Sequence, residues 1–139
     1  MEITLLDRSN YYKGLLLLIA KDKKISDNEK EYLLKLGKVL GFESQYCEQN
    51  IDTVIENKYI TDDPIKFSNQ ELARVFIRDG IKIAFADDAL HLTELEWLRS
   101  VLEKNNLSDE WFKEEVGRFV EKGKHKHQKD LEIQNYWKG

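Results

Sequence analysis

Ala20-Lys21-Asp22-Lys23-Lys24-Ile25-Ser26-Asp27-Asn28-Glu29 reads as a sharp corner between two helices. A second corner follows at Ala86-Asp87-Asp88-Ala89-Leu90-His91-Leu92-Thr93-Glu94. Each has an acid where one helix should end and an apolar residue three positions later. A Glu stands seven positions after the acid in both.

Asp87 lies 65 positions beyond Asp22, and the same shift aligns much of their surroundings. Ile25 falls on Leu90, Glu29 on Glu94 and Glu31 on Glu96. Tyr32 falls on Trp97, Leu33 on Leu98 and Leu36 on Val101. Gly41 falls on Asn106, and Gly and Asn are the residues that most readily take the left-handed conformation closing a helix. Phe42 falls on Leu107. The chain therefore reads as two related helix–corner–helix halves, about 9–57 and 68–121, with a basic C-terminal tail over 122–139.

Outward from the corners, the pattern is helical throughout. Ser9 or Asn10 is the expected cap of a first helix ending near Lys21, with Tyr11, Tyr12, Leu15, Leu16, Leu18 and Ile19 giving it a wide apolar face. Met1 to Asp7 reads as a lead-in or a half turn. Ser26 and Glu29 have the spacing of a capping box, and Gly41 stops the second helix. Ser44 opens a third helix with Tyr46, Cys47, Ile51, Val54 and Ile55 on its apolar face. Asn57 to Phe67, holding the single Pro64, connects the halves.

Ser68 and Glu71 form a second capping-box pattern, opening a helix to about Ala86. Its apolar face is Leu72, Val75, Phe76, Ile81, Ile83 and Ala84, and Gly80 interrupts it at about 1 kcal/mol relative to Ala. Thr93 or His91 is the expected cap of the fifth helix, and Ser108 of the sixth, whose core face is Trp111, Val116, Phe119 and Val120. Leu131, Ile133, Tyr136 and Trp137 leave room for a last short helix. The expected architecture is one all-α domain of six or seven helices.

Composition agrees with that class. The 139 residues suffice for one core; 41% are hydrophobic, 35% are charged, and there is one Pro. The net charge of −4 offers no global basic surface for nucleic acid. Cys47 is the single cysteine, so an internal disulfide and a cysteine-rich zinc site are excluded. Its apolar neighbours suit a buried small residue more than a nucleophile. Leu15 to Ala20 is far short of the roughly 20 apolar residues of a membrane span. Met1-Glu2-Ile3-Thr4 does not look like the start of a signal peptide, so the cytoplasm is the expected location.

Chemistry belongs at the corners. Asp22, Ile25 and Glu29 match the back half of an EF-hand calcium loop, as do Asp87, Leu90 and Glu94. The front half fails. Its first and third positions would be Leu18 and Ala20, or Ile83 and Phe85, none of which coordinates a cation.

The stretches Ala20-x-Asp22-x-x-Ile25-x-x-x-Glu29 and Ala86-Asp87-x-x-Leu90-x-x-x-Glu94 resemble the corners of the TerB-like (tellurite-resistance) family, over about Tyr12 to Val116. The resemblance implies an all-α domain and a divalent-metal site at Asp22, Glu29, Asp87 and Glu94. The family glycine after each Asp is Lys23 in one corner and Asp88 in the other. Lys21, Lys23 and Lys24 surround Asp22, so the second corner, with Asp87, Asp88, Glu94 and Glu96, is the more favourable for a cation. Carboxylates without Cys or paired His suit calcium, magnesium or manganese more than zinc.

The same acids have structural uses. An Asp between helices accepts hydrogen bonds from the free N–H groups of the next helix, Glu29 fits its capping box, and Glu94 fits a helix's first turn. Against that, an Asp at a helix C-terminus opposes the dipole by about 0.3–1 kcal/mol. Converging carboxylates also raise one another's pKa unless a cation joins them. His91 suits a capping role, and His125 and His127 lie in a Lys-rich tail that reads as solvated. No nucleotide loop, zinc signature or nucleophile elbow appears. The sequence therefore points to a non-enzymatic TerB-like module binding a divalent cation in a stress response. The alternative is a helical protein-interaction domain whose corner acids are caps.

Overall fold

Thr4 and Asp7 start the first helix. The Thr4 hydroxyl accepts the Asp7 N–H at 3.0 Å, and the Asp7 carboxylate accepts the Thr4 N–H at 3.3 Å. This capping box places α1 over Leu5–Ile19, with its cap at Thr4 rather than at the expected Ser9 or Asn10. Met1 to Asp7 is thus no mere lead-in.

The computed structural model describes residues 1–20, 25–56, 63–84, 92–122 and 131–137. Among them the chain is all-α. Five further helices follow: α2 (Asp27–Val39), α3 (Ser44–Glu56), α4 (Gln70–Ala84), α5 (Leu92–Lys104) and α6 (Asp109–Lys122). A short 3-10 helix, Glu132–Asn135, comes last.

Local chemistry sets most boundaries. Ser26 and Glu29 make the expected reciprocal bonds at 3.1 and 3.0 Å, fixing the start of α2. Its end is a Schellman closure, with Gly41 at φ +89° and the Phe42 N–H on the Gly37 carbonyl at 2.8 Å. Asn106, at φ +57°, closes α5 the same way, with the Leu107 N–H on the Leu102 carbonyl at 3.0 Å. Ser108 caps α6 by accepting the Trp111 N–H. The cap of α4 is a correction. Asn69, not Ser68, accepts the Leu72 N–H at 2.7 Å, because Ser68 is engaged by Asp7.

The second half of α1, residues 14–19, is apolar around its circumference, and Tyr11, Tyr12 and Leu15 to Ile19 are all buried. A helix of that kind belongs inside. It packs against α2, α3, α4 and α5. An aromatic chain runs through this centre: Tyr11 meets Phe76 edge-on at 5.1 Å, and Phe76 continues to Phe67 and Trp97.

Gly80 has a packing reason. A Cβ there would lie 2.5 Å from Leu98 Cδ2 and 3.3 Å from Leu18 Cδ2, so its absence lets α4 approach α5 and α1. Three expected core positions lie outside: Tyr46, Ile55 and Val120 are 41%, 52% and 57% exposed. Phe112 takes the inward position on α6 instead. With α1 filling the centre, α3 and α6 each need only a narrow apolar stripe.

Candidate functional site

Of the four corner acids, Asp22 and Asp87 lie outside the described residues. So do Asp88, His91, His125 and His127, as well as the lysines beside Asp22. Glu29 and Glu94 are described, and they differ. Glu29 is partly exposed at the first turn of α2, and its Oε1 accepts the Ser26 N–H. Glu94 lies in the first turn of α5 and is only 6% exposed. The positive end of the helix dipole favours a carboxylate there.

Glu96 does not share that position. It is exposed, because residues two apart on a helix face different ways. The second corner therefore offers Glu94 inward and Glu96 outward. Among the described residues, no three His, Cys, Asp or Glu side chains gather as a metal-holding group.

Cys47 is fully buried and packs on α2 at Gly37. Burial pushes its thiol up, against a smaller opposing effect from the Tyr12 hydroxyl. Such a thiol is a packing group rather than a nucleophile. Trp97 is likewise a core residue.

The structure also brings forward buried polar groups that the corner reading passed over. Asp79 has no solvent exposure. Its Oδ2 accepts the Tyr11 hydroxyl and the Ile133 N–H, and its Oδ1 accepts the Glu132 N–H at 2.7 Å. The carboxylate thus ties α1 and α4 to the start of the 3-10 helix. Burial pushes Asp79 up to about 6, and the hydrogen bonds from Tyr11, Glu132 and Ile133 only partly oppose it. Beside it, Arg78 Nε meets Glu132 Oε2 at 2.7 Å. Arg8 lies over the Trp137 ring at 4.1 Å and donates to the Leu40 carbonyl at 2.7 Å.

Asp7 is a second buried acid, bonded to Ser68 as well as Thr4. Burial pushes its carboxyl up, but the bonds from Ser68 and Thr4 outweigh that and hold it below the usual range. Asn105 is a third junction. Its side chain accepts the Phe67 N–H and donates to the Ile65 and Val101 carbonyls, each at 2.8 Å.

A signal for Asp79 did exist in the sequence. It follows Leu72, Val75 and Phe76 at helical spacing, so an acid sits on the apolar stripe of α4. Thr4 and Asp7 likewise have capping spacing. Nothing local marks Asn105.

Compared with models of known protein families, with curated proteins and with solved structures, the chain matches none.

Proposed function

We propose that the chain is a TerB-like helical module that binds a hard divalent cation through its acidic corners in a stress-response role. Asp22, Glu29, Asp87 and Glu94 are the proposed ligands, and calcium, magnesium or manganese the proposed ions. Carboxylate oxygens suit such ions. The reading assigns binding, not catalysis.

Glu94 is the observation that carries it. A merely solubilising acid would point outward, as Glu96 does. Glu94 is buried directly after the Asp87-Asp88 corner. Its carboxylate oxygens are the hard donors that such a cation takes, and the first turn of α5 sets them beside the corner.

Glu29 favours the second reading. Its carboxylate serves the Ser26 capping box, which needs no metal. On that reading the corner acids are structural, and the helical surface serves a protein partner.

Thermal unfolding of chelator-stripped protein separates the two. Calcium, magnesium, manganese and zinc are added in turn, with Asp87→Asn/Glu94→Gln alongside. A cation at one hundred times its dissociation constant adds about 2.7 kcal/mol. The metal reading expects one cation to raise the midpoint in the wild type and not in the variant. If no cation shifts the wild type, the acids are structural and the second reading stands.

A further inference from the structure

Residues 131–137 are attached differently from the rest of the chain. The 3-10 helix has its main packing against α4. Residues 131–137 contribute two deeply buried apolar side chains, Leu131 and Ile133, whereas α1 and α4 contribute most of their length. The segment's polar attachments come from groups that the six α-helices hold in place. Asp79 takes two consecutive backbone N–H groups, Arg78 takes the Glu132 carboxylate, and Arg8 underlies Trp137. Tyr11 fixes the Asp79 carboxylate from α1.

That is the chemistry of a peptide site. A fixed acceptor reads two adjacent N–H groups, apolar positions flank it, and an Arg supports an aromatic ring. A few contacts set against the ordering entropy of seven residues leave such a segment at the weakly held end of a fold.

We infer that Tyr11, Arg78, Asp79 and Arg8 form a peptide-binding cradle whose resident ligand is the chain's own Leu131–Trp137, held as a releasable strap. Release leaves the six α-helices folded and uncovers the Asp79 carboxylate. The ligand class is a short segment with two free consecutive N–H groups, an aliphatic residue before the first, another at the second, and an aromatic residue four positions after the second.

The test uses the full-length chain and a labelled peptide of residues 130–139. Leu131→Ser/Ile133→Ser weakens the strap and leaves every cradle residue in place. The expected result is a folded variant that binds the peptide at least tenfold more tightly than the wild type does. A Glu132→Pro peptide, lacking one N–H and the Arg78 partner, should lose at least tenfold. In the wild type, the Glu132 and Ile133 amides should exchange with solvent at least tenfold faster than those of Phe76 and Ile77. A folded variant that ignores the peptide overturns the cradle. A variant that unfolds, or strap amides exchanging at the rate of α4, overturns the releasable strap.

Discussion

The phenol of Tyr11 donates to Oδ2 of Asp79, and both side chains are sealed from solvent. Burial and the Asp79 charge push Tyr11 well up, so it stays protonated and remains a donor. Tyr11→Phe keeps the ring against Phe76 but leaves the carboxylate with two backbone donors. A loss of about 1–3 kcal/mol in urea unfolding is expected. An unchanged midpoint would show that the bond contributes nothing net.

Asp79 and Asp7 should give stability opposite dependences on pH. The folded value for Asp79, about 6, lies above that of an unfolded Asp, so the folded state holds the proton more tightly. Its contribution is fully present below about pH 4 and is lost as pH rises through about 6, a difference of about 3 kcal/mol. Asp7 is held low, so its contribution is present above the unfolded value and lost as pH falls through the folded one. Denaturation curves across pH should show Asp79→Asn removing the decline between about pH 4 and 6. Asp7→Asn should instead flatten the acid limb.

Gly37 and Cys47 should be strongly coupled. A Cβ on Gly37 would lie 2.2 Å from Cys47 Sγ but 3.5 Å from Cys47 Cβ. Gly37→Ala alone should therefore cost about 1–3 kcal/mol through overpacking. In a Cys47→Ala background the obstructing sulfur is gone, and the same change should cost much less. A double-mutant cycle measures the difference; additive effects would contradict the contact.

Asn105→Ala should leave the Phe67 N–H and the Ile65 carbonyl inside the fold without their partner. Each buried group so stranded costs about 1–3 kcal/mol. Asn105→Asp restores only the acceptor, so it should recover little. Thermal unfolding of both variants checks this.

Cation-dependent stabilisation of the second corner remains the discriminating result for function. Glu94 is the residue to follow, because its burial distinguishes it from Glu29 and Glu96.

Much of the helical plan was legible because caps and closures act over a few residues. Ser26 with Glu29, Gly41, Asn106 and Ser108 each satisfy backbone groups within about one turn. Thr4 with Asp7 obeys the same rule and was obscured by apolar Leu5 and Leu6, which are exposed. The candidate site was legible only as spacing. The sequence places an acid before and a Glu after each corner, but the direction of Glu94 and Glu96 follows from how α5 packs.

By itself the sequence determined an all-α chain, a central first helix and the left-handed closures at Gly41 and Asn106. These follow from short-range sterics, hydrogen bonding and the period of apolar residues. Tertiary structure decided the rest. It turned Ser68 from a cap into a partner of Asp7 and made Gly80 a point of close approach. It also set Asp79 beneath the N–H groups of Glu132 and Ile133. The physical reason is sequence distance. A buried polar group must find a partner wherever the folded chain brings one, and no local pattern encodes a partner tens of residues away.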